Sequence, residues 1–330
     1  QPTRRVTPLQ TGSGTVPAAV RPARPQRDPA ASRDGRLLRR RLPPPALRGT
    51  TVDNSGLTET VYTQFYGFAE PPFNITPDPR YLFFSEQHRE ALNHLLFGIQ
   101  QRKGFLQLTG EVGSGKTTIC RAVFEQLPDD TVTALILNPA LSEAQLLRAI
   151  LREFDIDSAS RDRLRNYEKL NEFLLNLVAQ KRDAVLVIDE SQDLTPPLLE
   201  WVRLLSNLET DNQKLIQIVL IGQPELRDIL DRPALRQLRQ RITIRFHLGP
   251  LTEDETRRYI EHRMTVAGGN GVPVFHRGAL RRIYRYSQGI PRLVNALADK
   301  SLLAGFVQRS DTITSRMVRL AEKELEGQFE

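Results

Sequence analysis

One run of eight residues has the composition and spacing of a phosphate-binding loop. It fits the pattern G-x-x-x-x-G-K-[ST] without a mismatch and consists of Gly110, Glu111, Val112, Gly113, Ser114, Gly115, Lys116 and Thr117. Glycines let backbone N–H groups turn toward one phosphate, and a following helix presents its positive end to the same anion. Lys116 supplies a point charge for the β- and γ-phosphates, and the Thr117 hydroxyl can ligate Mg²⁺. A glycine-rich turn without this role needs no Lys-Thr pair, so the run predicts nucleotide binding.

The residues on either side of the loop support this interpretation. Phe105-Leu106-Gln107-Leu108 is predicted to form a short buried strand, and Thr118 to Leu127 a helix. A strand, a glycine-rich loop and a helix in this order make up a known phosphate site. Thr118, the first predicted helical residue, is therefore included among the nucleotide-binding residues.

A pair of acidic residues follows a second buried strand. Asp189 and Glu190 come directly after the apolar run 184–188, which is typical of a strand buried on both faces of a parallel sheet. The carboxyl end of such a strand faces the crevice where ligands bind. Asp189 is expected to hold Mg²⁺ through water, and Glu190 to polarise the attacking water. The alternative is that the pair only ends a strand at a solvated turn.

Gln223 is a further polar residue at a predicted strand end. It follows the apolar stretch 215–221, after one glycine. If this strand lies between the other two, the Gln223 side chain points near the γ-phosphate and can orient water. It could instead be only a turn residue before Pro224.

Two arginines are candidates for phosphate contacts from outside the sheet. Arg241 precedes the last predicted strand and could reach into the site of a neighbouring subunit, with Arg239 as the next candidate and a solvated basic face as the alternative. Such an arginine raises the rate of γ-phosphate hydrolysis about 10³–10⁵-fold. Arg292 falls in the first turn of a predicted helix, where the helix dipole disfavours a cation unless an anion lies nearby. We interpret Arg292 as a γ-phosphate sensor that would pull a helical lid onto the sheet.

The order of predicted elements indicates an α/β fold followed by a helical region. Strands are predicted at 105–108, 131–137, 184–188, 215–221 and 242–247, and the helices around them at 86–101, 118–127, 142–154, 166–180 and 195–209. Such alternation predicts a parallel five-stranded sheet with helices on both faces, and the half-polar strand 242–247 is expected at its edge. From Thr252 onward only helices are predicted, at 252–267, 277–287, 291–307 and 314–325. The segment Phe65–Tyr81, rich in aromatics and proline, is predicted to be ordered but irregular.

The N-terminal segment differs in composition from the rest of the chain. The first 50 residues contain eleven Arg, no Lys, two acids and nine of the 22 Pro, so they carry +9 and the other 280 residues carry −2 of the total +7. The tail is expected to be disordered because it buries too little apolar surface to offset chain entropy. Three interpretations remain open: an arm that contacts phosphates or anionic lipid, an inert extension, or upstream DNA translated from a start assigned too early, with Val61 at the true start.

The remaining composition predicts a reduced, cytoplasmic and soluble protein. The single cysteine, Cys120, excludes an internal disulfide and is expected to be a small buried thiol. The sequence has no stretch near 18 apolar residues, and its tail lacks the apolar core of a secretory signal. We divide the chain into a tail at 1–60, an α/β nucleotide-binding domain at 61–250 and a small all-helical lid at 251–330.

These motifs in this order, with Gly289-Ile290-Pro291-Arg292 opening a lid helix, resemble those of the AAA+ ATPases, which have a P-loop NTPase fold. A more specific resemblance, to the general secretion pathway protein A family, covers roughly Val61 to Leu325. It is carried by the segments Phe65-Tyr66-Gly67-Phe68, Glu70-Pro71-Pro72-Phe73, Thr76-Pro77-Asp78-Pro79-Arg80-Tyr81-Leu82, Asp189-Glu190-Ser191-Gln192-Asp193-Leu194, Leu204-Leu205-Ser206-Asn207-Leu208-Glu209-Thr210 and Ile221-Gly222-Gln223-Pro224-Glu225-Leu226. Members of that family begin about where Val61 stands, which favours the start-codon interpretation of the tail.

The resemblance implies an ATPase that uses ATP and Mg²⁺ and assembles into a ring, for which we expect a hexamer. It implies a partner in the inner membrane or envelope machinery, which would place the protein peripherally at that membrane. Members of the family continue into a membrane span and a peptidoglycan-binding domain, whereas this sequence stops at Glu330, which argues against direct wall binding. Two alternatives are a DNA-associated regulator of transposition, disfavoured by the charge of −2, and a nucleotide-gated scaffold that does not hydrolyse ATP.

Overall fold

The computed structural model describes residues 61–327, apart from 75–77, 158–159, 161 and 211–212. The predicted disorder of residues 1–60 and its three interpretations concern residues outside this range. A five-stranded sheet forms the centre of the first half. Its strands are β1 Phe105–Gly110, β2 Thr131–Ile136, β3 Asp183–Ile188, β4 Gln217–Gly222 and β5 Ile242–Leu248.

The strand order is β2-β3-β4-β1-β5, and every neighbouring pair is parallel. The predicted parallel sheet is therefore confirmed, and so is the position of β5 at an edge. β4 lies between β3 and β1, which is the condition on which the prediction for Gln223 depended. Because all five strands run the same way, the residues that follow β1, β3 and β4 meet at the end of the sheet formed by the carboxyl ends of the strands.

Eight helices precede or surround this sheet within the described residues. They are α1 Val61–Tyr66, α2 Glu86–Gln100, α3 Lys116–Gln126, α4 Glu143–Glu153, α5 Arg163–Ala179, α6 Pro196–Leu205, α7 Glu225–Leu230 and α8 Arg236–Arg241. The side chains of Ser85 and Ser142 accept backbone N–H groups in the first turns of α2 and α4 and so cap these helices. The sequence did not predict α1, α7 and α8, because each has only six residues, too few for a helical pattern of apolar positions.

The sheet is buried on both faces, which explains the apolar runs that follow the first residue of β3 and of β4. On one face, Leu186 and Ile188 of β3 pack in a cluster with residues of α4, α5 and α6. On the other face, Val185 and Val187 pack with residues of α2 and α3. Cys120 of α3 belongs to this second cluster, and burial raises the pKa of its thiol to about 12, so the predicted buried thiol is confirmed.

The second half is a helical region with one small addition. Its helices are α9 Glu253–Val266, α10 Arg277–Ser287, α11 Pro291–Val307 and α12 Ser315–Leu325. The prediction that this region is all-helical is wrong in one detail, since β6 Val274–Phe275 pairs in parallel with β7 Thr312–Ile313. Two-residue strands are too short to show the alternation that predicts a strand. A lipid bilayer could not be crossed by any helix in the described part of the chain.

The segment before the sheet packs against the helical region. Tyr62, Tyr66, Phe68 and Phe73 share one apolar cluster with residues of α9, α10, α11 and α12. The predicted domain boundaries at 60/61 and 250/251 stay predictions. The packing nevertheless means that the start of the described chain and the helical region hold each other in place beside the sheet.

Gly289 sets the position of α11 relative to the sheet. Its φ is +76°, and a Cβ at this position would lie 1.9 Å from the carbonyl oxygen of Leu251. The Leu251 N–H donates to the Gly289 carbonyl at 2.9 Å. Only glycine combines this backbone conformation with so close an approach. The contact fixes the start of α11, and with it Arg292, next to the strand ends.

Candidate functional site

The predicted phosphate loop connects β1 to α3 at the carboxyl edge of the sheet. Lys116, the first residue of α3, has 6% of its surface exposed, and its Nζ donates to the carbonyl oxygens of Gly110 at 2.7 Å and Glu111 at 2.9 Å. Burial lowers the pKa of Lys116, while the carboxylates of Glu190 and Asp189 act in the opposite direction. The loop therefore surrounds a buried cation that has acidic residues close by.

Asp189 joins the end of β3 to the start of α3. Its side chain is 3% exposed, and it accepts hydrogen bonds from the Thr117 hydroxyl at 2.9 Å and from the Glu190 N–H at 2.9 Å. Burial raises the pKa of this carboxyl, and the two hydrogen bonds oppose the shift. A hydroxyl and a carboxylate side by side are the hard oxygen ligands that Mg²⁺ takes in nucleotide sites. Thr117 and Asp189 therefore fit the predicted metal ion.

Glu190 is held by two glutamine side chains. Its Oε2 accepts from Gln192 Nε2 at 2.8 Å and from Gln223 Nε2 at 3.3 Å. The Gln192 Oε1 in turn accepts the backbone N–H of Gln223 at 3.0 Å. Glu190 itself has a φ of +48° and a ψ of +39°, a left-handed conformation that is uncommon outside glycine. The side-chain amide of Gln192 thus links the ends of β3 and β4 and orients the Glu190 carboxylate.

One cavity of about 340 Å³ brings most of the predicted residues together. The predicted site residues that line it are Val112, Gly113, Gly115, Lys116, Thr117, Thr118, Glu190, Gln223 and Arg292. Arg292 reaches it from α11, and its backbone N–H donates to the Gly113 carbonyl at 3.3 Å. The cavity therefore lies between the carboxyl ends of the strands and the helical region.

A smaller cavity of about 50 Å³ adjoins the first and shares Tyr81, Gly115, Thr118 and Pro291 with it. Its other walls are mainly apolar and aromatic. They are formed by Leu82, Phe83, Leu251 and Tyr259, together with the polar residues His88 and Ser114. A flat apolar ring would suit such walls better than a charged group.

Several lining residues were missed by the sequence analysis. Arg263 of α9 donates to the carbonyl oxygens of Pro72 at 2.6 Å and Asn74 at 2.9 Å, and its guanidinium lies 4.6 Å from the Tyr81 ring centroid. Asn295 of α11 accepts from the Tyr259 hydroxyl at 2.9 Å. Asn295 is a buried polar residue on the largely apolar inner face of α11, which is the signal that could have found it. Arg263 gave no such signal, because the buried face of α9 also contains Glu255 and Thr256. Gln192 lies in a motif that carried the family resemblance, but its role depends on a contact with β4.

Arg241 lies away from this cavity. It ends α8 just before β5, and Ile242 pairs with Phe105 at the amino-terminal end of β1, opposite the phosphate loop. Its Nη1 donates to the Ser206 hydroxyl at 2.8 Å. Arg239, the other candidate, pairs with Asp231 at 3.0 Å. Neither arginine lines the cavity of its own chain, so a role in catalysis requires a second copy.

Comparison with known proteins gives two kinds of match. Residues 99–230 match the protein family described as "AAA domain". The chain is 49% identical over 269 residues to "General secretion pathway protein A" of Aeromonas hydrophila, a match that covers 81% of this chain and 49% of the relative. The chain thus spans about half the length of the curated relative it matches. This match confirms the family resemblance that the motifs carry.

Solved structures with a similar fold share little sequence with this chain. Cdc6p from Pyrobaculum aerophilum has a TM-score of 0.59 at 19% identity, and the match covers 77% of this chain and 70% of that one. A structure titled "Structure of Drosophila ORC bound to DNA" has a TM-score of 0.62 at 16% identity, with coverages of 86% and 71%. These likenesses confirm the fold, a P-loop NTPase sheet with helices on both faces followed by a helical region.

Replacing Gln192 tests the two-glutamine arrangement around Glu190. With the catalytic role predicted for Glu190, we expect Gln192→Ala to lower ATP turnover about 10- to 100-fold, because small displacements of a catalytic group have effects of this size. The Kd for MgATP, measured by titration calorimetry, should change less than about threefold, since Gln192 does not touch the phosphate loop. Gln126→Ala, at an exposed glutamine of α3, is the control. Loss of binding in proportion to turnover would contradict the positioning role of Gln192.

Proposed function

We propose that this AAA-domain homologue of general secretion pathway protein A binds ATP with Mg²⁺ and hydrolyses the γ-phosphate. One observation carries the proposal: Lys116, Thr117, Glu190, Gln223 and Arg292 line a single cavity although they come from four different elements. Basic groups, a hydroxyl, a carboxylate and an amide around one space are what phosphoryl transfer requires, because the protein contributes mainly position and charge. The adjoining apolar cavity would take the adenine ring.

Thr117 and Asp189 would hold Mg²⁺, the latter through water. When bound, the ion would neutralise charge on the β- and γ-phosphate oxygens. The hydrogen bond between the two side chains supports this assignment, because it already places the Thr117 hydroxyl 2.9 Å from the carboxylate. Lys116 would exchange its loop carbonyls for phosphate oxygens, which compensate its buried charge better than neutral carbonyl groups do.

Glu190 would orient the attacking water and accept its proton. Gln223 and Gln192 hold this carboxylate from one side, which leaves its second oxygen for the water. Arg292 would contact the γ-phosphate from the helical region. Since Arg292 belongs to α11, loss of the γ-phosphate would change a contact between that region and the sheet. This is how we expect hydrolysis to drive a movement.

Two substitutions separate binding from turnover. Lys116→Ala should abolish detectable MgATP binding, because it removes the charge that faces the phosphates. Glu190→Gln should bind MgATP with a Kd within about threefold of the wild-type value. Its kcat should be about 10²–10⁴-fold lower, which is the usual contribution of a general base. Titration calorimetry and a phosphate-release assay measure the two effects, with the exposed Lys181→Ala as control. Normal hydrolysis by Glu190→Gln would refute the assigned role, and no turnover by wild type would favour the scaffold alternative.

We propose further that the chain works as a ring-shaped homo-oligomer, a hexamer, in which Arg241 acts on the neighbouring site. The support is geometric: Arg241 lies at the amino-terminal end of β5, away from the cavity of its own chain. A neighbouring copy that presents this end to the cavity would add a guanidinium near the γ-phosphate. Such a group contributes about 10³–10⁵ to the rate, so turnover would depend on assembly.

Mixing inactive variants tests this arrangement. Arg241→Ala and Glu190→Gln should each be nearly inactive alone. A random 1:1 mixture should recover about a quarter of wild-type turnover, because a site with intact Glu190 then meets a neighbour with intact Arg241 at one interface in four. Arg239→Ala, on the same helix, is the matched comparison and should stay active. If activity were recovered only in the mixture of Arg239→Ala with Glu190→Gln, the catalytic role would belong to Arg239. If activity were recovered in neither mixture, catalysis between subunits would be contradicted.

The client is proposed to be an inner-membrane or envelope-machinery protein. The homologue's name supports a secretion role, whereas the 16–19% identical structures support only the fold. One observation favours the DNA-binding alternative: Arg277, Arg281 and Arg285 are exposed at helical spacing along α10. A chain beginning at Val61 should be compared in a pulldown from inner-membrane extract and in DNA titrations at 50 and 200 mM salt. A steep loss of DNA affinity with salt, abolished by alanine at these three arginines, would favour DNA.

A further inference from the structure

A buried histidine, His88, contacts the phosphate loop and, together with Ser114, lines the smaller cavity that adjoins the large one. His88 lies in the first turn of α2 and is 4% exposed. Its Nε2 is 3.1 Å from the carbonyl oxygen of Ser114, and its Nδ1 is 2.6 Å from the Ser85 hydroxyl. The ring therefore bridges the N-cap of α2 and a residue of the phosphate loop 26 positions later.

The partners of His88 fix its tautomer. A carbonyl oxygen can only accept, so Nε2 must carry the proton that bonds Ser114. In the neutral ring, Nδ1 then accepts from the Ser85 hydroxyl, whose oxygen accepts the His88 backbone N–H at 3.2 Å. Burial lowers the pKa of His88, which favours this neutral form. Both ring nitrogens are thus satisfied, and the imidazole can turn neither way without losing a hydrogen bond.

This contact sets the direction of the peptide group between Ser114 and Gly115. The peptide is trans, so its C=O and N–H point to opposite sides. With the carbonyl turned to His88, the Gly115 N–H points away from the histidine. Gly115 has a φ of +102°, and a Cβ there would lie 2.9 Å from His88 Nε2, so the ring also packs against the face that glycine leaves open. A flipped peptide would instead aim a carbonyl oxygen at the phosphate oxygens.

We propose that His88 is a positioning residue for nucleotide binding, which holds the Ser114 carbonyl so that the Gly115 N–H faces the diphosphate part of the nucleotide. The inference rests on the proposed nucleotide site and adds to it a residue outside the loop. Backbone N–H groups of such loops cradle the α- and β-phosphates, so both ATP and ADP should depend on His88. The γ-phosphate chemistry should not.

The first turn of α2 is itself anchored, which makes it a firm support for the loop. The Glu86 N–H donates to Glu255 Oε1 of α9 at 3.3 Å, and Gln87 Oε1 accepts the Gly249 N–H at 2.8 Å. His88 thus connects the loop to a turn that is also bonded to the helical region and to the segment after β5. The orientation of the peptide group between Ser114 and Gly115 therefore depends on α2, on the helical region and on the segment after β5.

Three substitutions at position 88 test the proposal in the full chain. His88→Ala removes the donor, and His88→Asn has a polar group that reaches only as far as Nδ1. His88→Gln can place an N–H donor near the former Nε2. By titration calorimetry with MgADP, we expect the Ala and Asn variants to raise Kd about tenfold, the value of one hydrogen bond, and the Gln variant to stay within about threefold of wild type. His94→Ala, on the exposed face of α2, should bind like wild type.

Turnover measurements complete the test, with thermal unfolding as a check on folding. The KM for ATP should rise in His88→Ala, while kcat stays within about twofold. The proposal would be overturned if His88→Ala and His88→Asn both bound MgADP with wild-type affinity. It would also be overturned if His88→Gln bound MgADP as weakly as His88→Ala. If His88→Ala does not fold, the comparison of Asn with Gln still decides. Failure of wild type to bind MgADP and MgATP would refute the proposed function itself, a result distinct from equal affinities across the series.

Discussion

The hydrogen bond between the Thr117 hydroxyl and the Asp189 carboxylate is the contact on which the rest of the site depends. It joins the start of α3 to the end of β3 at a point where Asp189 is almost wholly buried. A charge in such a place is stable only when its surroundings supply hydrogen bonds. Those surroundings, namely the phosphate loop, the Glu190 N–H and the buried Lys116, are also the groups that a phosphate and a metal ion need.

The parallel sheet explains why these groups meet. β4 lies between β1 and β3, so the polar residues that follow the three strands share one edge, and Gln192 can bond both Glu190 and the Gln223 backbone. The same arrangement leaves Arg241 at the amino-terminal ends of the strands, where β5 begins. A chain of this topology cannot bring Arg241 to its own cavity, and this is the physical basis for proposing that two copies complete one site.

The helical region closes the cavity because it is held on two sides. Five aromatic residues that precede the sheet pack into the core of that region, namely Tyr62, Tyr66, Phe68, Phe73 and Tyr81. Arg263 donates hydrogen bonds to the carbonyl oxygens of Pro72 and Asn74. The close approach of Gly289 to Leu251 then fixes where α11 begins. Arg292 therefore has a defined position beside the loop, and a movement of the helical region would displace Arg292 relative to the loop.

The sequence by itself determined the parts that depend on local pattern: the phosphate loop, the acid pair after an apolar strand, the parallel sheet and the helical region. These depend on spacing and periodicity, which are written in consecutive residues. The tertiary structure alone decided the contacts of His88, Gln192, Arg263 and Asn295, and the short elements α1, α7, α8, β6 and β7. His88 meets Ser114, and Gln192 meets Gln223, only because the strand order brings distant segments together. No local pattern records such pairs, since each partner is an ordinary polar residue until the fold buries it.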